Sequence, residues 1–442
     1  MMHPICRSYP LFAVIARILA PAFIAVCLMY GCAHRDAKAP KVVTIRVADW
    51  GGASADENSN RINKELLDEF HRTHPGIRIQ MEHIPDAYVQ KLLLMVLAHT
   101  EPDVIVLDAS SAAMFINNNT LRDLTPFIES DPEMDLSVFY PNVLNIARRG
   151  KALYALPGDF TPMMMYYNKA AFRRAGVPYP REDWTWNDFL ATAKQLTIRK
   201  NGRVTQYGME VTNWMPGWIT WIWQNGGDVL SPDGKKATGY LNSKASIEAV
   251  RFYTDLVTKH KVAPTVSQAQ ALGSENFLAG ATAMTVSGHW MIPHFIATEG
   301  SIPGYKFSDV GVVGLPKGKH RVTVQYESGP AMMKGTRHPR EAWEYIKFRT
   351  GPFSQRKISE QGLAISANRH IADEFGDRSP LEPVFLENIQ YARGPWGAQV
   401  EMYALVEDIG REAIDEVLLG RATPEEALTR AAHRIDIQLG VQ

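Results

Sequence analysis

The stretch Val43-Thr44-Ile45-Arg46-Val47-Ala48-Asp49-Trp50-Gly51-Gly52 decides the fold. Apolar residues at 43, 45 and 47 alternate with Thr44 and Arg46, the period of a strand with one face on a core, and the glycine pair ends it. Downstream, Ile62, Leu66 and Phe70 recur at helical spacing until Pro75-Gly76 stops the helix. Ile77, Ile79 and Met81 alternate again, Tyr88 to His99 reads as a second helix, and Val104-Ile105-Val106-Leu107 reads as a buried strand after Pro102. Strand, helix, strand, helix, strand implies a parallel sheet with right-handed crossovers, hence an α/β fold. Ligands of such sheets gather beyond the carboxyl ends of the strands. The loops at Asp49-Trp50, Glu82-His83 and Asp108-Ala109-Ser110 are therefore expected to line one crevice.

Upstream, the chain reads as a targeting segment. Arg7 and Arg17 precede an apolar run from Ile18 to Tyr30, shorter than the roughly 20 residues a helix needs to cross a bilayer, so cleavage is expected. Cys6, Cys27 and Cys32 are the only cysteines, which rules out disulfides in the 410 residues after Cys32. Cys32 follows Leu28-Met29-Tyr30-Gly31, which resembles a bacterial lipobox although Met29 and Tyr30 depart from its usual residues. The expectation is a signal peptide over 1–31, lipid attachment at Cys32 and a polar tether over 32–41.

The 442 residues are enough for two domains, and 45% hydrophobic with 21% charged residues is ordinary for a soluble globular protein. Lys+Arg and Asp+Glu balance at 47 each, so no basic stripe marks the chain as a nucleic-acid binder. No repeat is visible. A second region opens near Tyr154-Ala155-Leu156-Pro157, with a short helix from Ala170 to Ala175 closed by Gly176 and a capping-box start at Thr185 and Asp188. Trp218, Trp221 and Trp223 lie at helix-compatible spacing in an apolar run and read as core, as does Trp343. Asn242-Ser243 precedes a further helix, and Thr423-Pro424-Glu425-Glu426 starts the last one with proline at its first position.

Several segments, in one order, resemble the family 1 extracellular solute-binding proteins of ABC importers, the group that includes the maltose-binding protein. Pro102-Asp103-Val104-Ile105, Tyr154-Ala155-Leu156-Pro157 and Tyr166-Tyr167-Asn168-Lys169 carry the first half of the likeness. Trp184-Thr185-Trp186-Asn187-Asp188-Phe189 and Gln224-Asn225-Gly226-Gly227 carry the middle. Phe277-Leu278-Ala279-Gly280 through Ala283-Met284, Gly288-His289-Trp290 and Ala342-Trp343-Glu344-Tyr345-Ile346 carry the rest. The resemblance implies a two-lobed periplasmic-binding-protein fold (type II-like), each lobe a mixed sheet flanked by helices, with three hinge crossings. It assigns 42–156 plus 285–335 to an N-lobe and 157–284 plus 336–442 to a C-lobe. The crossings would fall near Pro157-Gly158, Ala283-Met284 and Lys334-Gly335. The implied role is extracytoplasmic: a monomer, lipid-anchored in the periplasm or on the outer face of the cell membrane, delivers a small carbohydrate to ABC permease transmembrane subunits.

A sugar ring offers an apolar C–H face and an edge of hydroxyls, so its site needs flat aromatic surfaces ringed by carboxylates, amides or arginine. Trp50, Trp214, Trp290 and Trp396 lie near expected loops or element ends and suit stacking. Asp49, Asp108, Asp159 and Glu327 are the carboxylates expected to meet hydroxyls, with Ser110, His289, Tyr326 and Arg393 beside them. Asp49 and Asp159 could equally cap helices or hold turns, and Tyr166-Tyr167-Asn168 reads as packing and capping.

Two other readings stay open. A glycoside-active enzyme would also present tryptophans and paired carboxylates. Against it, the chain has no HExxH, GxSxG, P-loop or CxxC motif, and its 13 histidines show no paired metal-ligand spacing, so neither a metal nor a cofactor is expected. A binding protein for a sugar phosphate, uronic acid or peptide would rely more on Arg393, Arg321 and His289.

Overall fold

The computed structural model describes residues 42–51, 57–273 and 275–441. The expected signal peptide, the tether and Cys32 lie outside the described residues. Strand β1 (Val43–Asp49), helix α1 (Glu57–Thr73), β2 (Ile77–His83), α2 (Tyr88–Leu97) and β3 (Val104–Asp108) follow the expected order. β1 is parallel to β2, with Asp49 opposite His83, and parallel to β3, so the carboxyl ends of all three share one edge. Ile45 and Val47 are buried with Phe70 of α1 in one hydrophobic core.

Strands β4 (Asp159–Pro162) and β5 (Met164–Asn168) follow, and then α3 (Met215–Gln224), which is buried along its whole length. Burial of an indole is tolerable only when its N–H finds an acceptor. Here Trp218 donates to the Asn213 carbonyl at 3.1 Å, Trp221 to the Gly217 carbonyl at 3.0 Å and Trp223 to Asp228 Oδ1 at 2.9 Å. Strands β6 (Met284–Ser287) and β7 (Val310–Val313) flank β5 in an antiparallel three-stranded sheet. Side chains alternate across a strand. Met165 and Tyr167 accordingly enter the core of Trp218 and Trp221, while Met164 and Tyr166 enter that of Phe160 and Phe295.

The ten-residue strand β8 (Thr323–Met332) ties the molecule together. Its second half is antiparallel to β3, Ser328 opposite Asp108, and its first half is antiparallel to β4, with the same Ser328 opposite Asp159. Helix α4 (Pro339–Thr350) then packs on the first sheet. Tyr345 and Phe348 meet Phe70 edge-on, and Trp343 Nε1 donates to Asp131 Oδ2 at 3.0 Å. The expected division placed everything after 336 with the C-lobe. In the structure Trp343, Tyr345 and Ile346 of α4 share one buried core with Ile45, Val47 and Phe70, and Lys357 of the next helix reaches Glu65 of α1 at 2.9 Å.

Strand β9 (Ala392–Arg393) runs parallel to the start of β8. Helices α5 (Tyr403–Leu418) and α6 (Pro424–Gln438) complete the Trp218 core. The capping boxes at Thr185 and Thr423 are both formed, a contribution of about 1 kcal/mol each. Asn168 accepts from the Ala171 N–H at 2.9 Å, so it caps a helix as expected.

Candidate ligand-binding cleft

The strand edge places the first candidates. Asp49 Oδ1 lies 2.6 Å from His83 Nδ1 and also accepts from the Gly51 N–H at 3.1 Å, so Asp49 both holds a turn and faces the crevice loop of β2. Trp50, 41% exposed, stands edge-on to Tyr88 with centroids 5.5 Å apart. One strand away, Asp108 accepts from the Ser110 N–H at 2.8 Å and from its hydroxyl.

β8 carries the next group, because its register brings Tyr326, Glu327 and Ser328 between β3 and β4. Asp159 accepts from Ser328 Oγ at 2.7 Å. Loss of water raises the Asp159 carboxyl to about 6, against the pull of the Ser328 bond and the Arg349 charge. Burial also raises Asp108, against its two bonds from Ser110. Glu327 is 4% exposed; its backbone carbonyl accepts from the Ala109 N–H at 3.0 Å, while its carboxylate makes no hydrogen bond or ion pair among the described residues. Its carboxyl is held well above the usual range by burial and then by Asp108 and Asp159. Sequence reasoning missed a further carboxylate, Glu407 of α5, pushed up to about 7 by burial and by Asp108. Only the fold brings α5 to this edge, and helical periodicity offers no sign of it.

Beside these carboxylates, near enough for Tyr326 to feel the charges of Glu407 and Asp108, stands an aromatic wall. Trp214, 44% exposed, lies over Tyr326 with planes 14° apart and meets Trp290 edge-on at 6.2 Å. Trp290 folds back on its own chain: a Cβ at Gly288 would sit 2.2 Å from the indole, so only glycine fits there. The Trp290 segment is pinned by Tyr166 Oη on the Gly288 carbonyl at 2.9 Å and by the His289 N–H on Thr161 Oγ1 at 2.9 Å.

Three expected members stand elsewhere. His289 is buried, its Nδ1 2.9 Å from the Gly362 carbonyl and its Nε2 2.8 Å from Glu382, so both ring nitrogens are engaged inside the fold. Arg393 pairs with Asp228 at 2.8 Å over the Trp223 ring, and Trp396 is buried with its Nε1 2.7 Å from Asp228 Oδ1. Both line a separate cavity. Asp228 therefore organises three side chains, a role its isolated position in the sequence did not signal. Arg321, considered for an anionic cargo, is bound to Glu182 and lies over Tyr391.

What the cleft can do is hold a polar ring. It joins flat indole and phenol faces to carboxylates that are short of water. Residues 55–355 match the family model of the bacterial extracellular solute-binding protein, well over half of the chain. The chain belongs to this family. A binding protein of Brucella abortus (strain 2308) is 22% identical over 383 residues, which is 84% of this chain and 88% of the relative. The multiple sugar-binding protein of Streptococcus mutans is 22% identical over 346 residues, 73% of this chain and 75% of that one. Among solved structures, the ABC substrate-binding protein of Listeria monocytogenes in complex with cycloalternan superposes with a TM-score of 0.80 at 24% identity. It covers 91% of this chain and 100% of the other. This solute-binding protein thus has the expected mixed α/β architecture. Among its described residues no helix is long and apolar enough to cross a membrane.

Proposed function

We propose that this solute-binding protein captures a small carbohydrate and hands it to the transmembrane subunits of an ABC importer, without covalent chemistry on the ligand. The observation that carries this reading is the Trp214, Trp290 and Tyr326 wall set near desolvated carboxylates. A sugar ring covers the aromatic faces while its hydroxyls donate to Asp108, Glu327 and Glu407. Asp49, Trp50, Ser110 and Asp159 complete the proposed contact set from the sheet edge. The names of two relatives support sugar as the cargo, since one is called a multiple sugar-binding protein and the other holds cycloalternan.

Two lobes would close on the ligand, with the chain crossing near Pro157-Gly158, near Ala283-Met284 and, later than expected, near Arg393-Gly394. Only the closed form lets one sugar touch both lobes, so binding shifts the equilibrium toward it. Lipid attachment at Cys32 would keep a monomer beside its permease and raise its effective concentration there.

The test is a panel of mono- and oligosaccharides read by intrinsic tryptophan fluorescence and calorimetry, with mass spectrometry of the recovered ligand. Saturable binding of at least one neutral sugar, recovered unchanged, is the expected result. Hydrolysed product would make the protein an enzyme instead, and binding that survives Trp290→Ala would move the site elsewhere.

A further inference from the structure

A cavity of about 550 Å³ lies apart from the cleft, within the size range of small-molecule sites. One wall comes from residues 142–150, the other from 393–399 with Pro232 and Asp233. Neither Asp108 nor Ser110 lines it, nor does any ring of the Trp214 wall. The strap between them is tight: a Cβ on Gly397 would sit 1.9 Å from the Ser110 carbonyl oxygen.

The charge inside is unbalanced. Arg148 donates from Nε to Asn145 Oδ1 at 2.9 Å and makes no ion pair among the described residues. Arg149 gives its guanidinium to backbone carbonyls alone, those of Ile146 at 3.2 Å, Arg148 at 2.8 Å and Ala398. Neither charge is met by a carboxylate. Arg393 is neutralised by Asp228, which faces away into the tryptophan cluster. Asp233 is the only acid in the lining, and it is occupied by Ser231 Oγ at 2.6 Å. Asn142, Asn145 and Gln399 add amide groups.

We propose that this cavity is a second binding site, for a sugar-sized molecule carrying a carboxylate or phosphate, with Arg148 and Arg149 as its anion partners. Guanidinium forks match both groups, and two arginines without counter-charge leave the cavity electrostatically incomplete until an anion enters. This assignment is independent of what the cleft binds.

Calorimetry on the full mature chain, with D-glucuronate, inorganic phosphate and D-glucose as probes, tests it. Glucuronate is expected to bind, glucose to leave the cavity empty, and phosphate to compete with glucuronate if the anion alone is recognised. Phosphate that fails to compete assigns the site to sugar carboxylates. Arg148→Gln should weaken glucuronate about tenfold, the worth of one charge-assisted bond. Asp233→Asn should tighten it, and Trp290→Ala should leave it unchanged while abolishing neutral-sugar binding in the cleft. Arg148→Gln and Asp233→Asn move affinity in opposite directions, so a folding defect cannot imitate the pair. Glucuronate that binds the Trp290→Ala variant no better than glucose does overturns the proposal, as does an affinity unmoved by both substitutions. The absence of any neutral-sugar binding would count against the cleft reading alone.

Discussion

Trp214 and Tyr326 lie nearly parallel, 14° apart with centroids at 6.1 Å, although the first precedes a helix of the tryptophan core and the second belongs to the strand that pairs with β3. The pair joins the two halves of the proposed site. Trp214 is 44% exposed and so contributes little to folding. Trp214→Ala should lower stability by less than about 1 kcal/mol yet remove most of the sugar-induced fluorescence change. Unaltered sugar affinity in that variant would exclude Trp214 from the site.

The raised carboxyls make stability depend on pH. Asp159 titrates at about 6 in the folded protein against 3.8 without its surroundings, so the folded state holds that proton more tightly. Stability therefore falls as pH rises from about 4 to about 6, and Glu407 extends the decline to about 7. For Asp159 the loss is at most about 3 kcal/mol, at 1.36 kcal/mol per unit. Asp159→Asn keeps an acceptor for Ser328 and should flatten that part of the profile in urea titrations of the ligand-free protein. Identical slopes in both proteins would contradict the assignment.

Asp228 accepts from Trp223, Trp396 and Arg393. Asp228→Ala strands two indole N–H groups and a guanidinium together. A loss of about 2 to 4 kcal/mol is expected in thermal or denaturant unfolding, more than for Arg393→Ala, which strands only one oxygen. Equal losses would mean that Asp228 serves Arg393 alone.

Gly397 rests against Ser110, and any added Cβ must push the strap off β3. Gly397→Ala should cost about 1 to 3 kcal/mol and weaken ligand binding in the cleft. Small-angle scattering should show a larger radius of gyration for the ligand-free variant. A variant as stable and compact as the parent would show that the strap yields without cost.

Much of the fold was legible because its signals are local. Alternation at Val43, Ile45 and Val47 marks a strand wherever the chain goes, and Thr423 with Glu426 closes a cap within four residues. The assignment of Trp218, Trp221 and Trp223 to the core followed the same way. The site was half legible. Trp214, Trp290 and Tyr326 do come together, but His289, next to Trp290, turns into the fold toward Glu382. A neighbour in sequence can face the opposite way, and nothing in Gly288-His289-Trp290 says which ring faces out.

By itself the amino-acid sequence determined the alternating strand and helix order, the helix caps, the glycine-framed tryptophans and membership of a two-lobed binding family. Tertiary structure alone decided that α4 shares a buried core with β1 and α1, that Asp228 gathers Arg393 and Trp396 around a separate cavity, and that Glu407 feels the charge of Asp108. The reason is range. Periodicity and capping are enforced by neighbours a few residues apart, whereas these meetings join segments more than a hundred residues apart, whose approach depends on how whole cores pack.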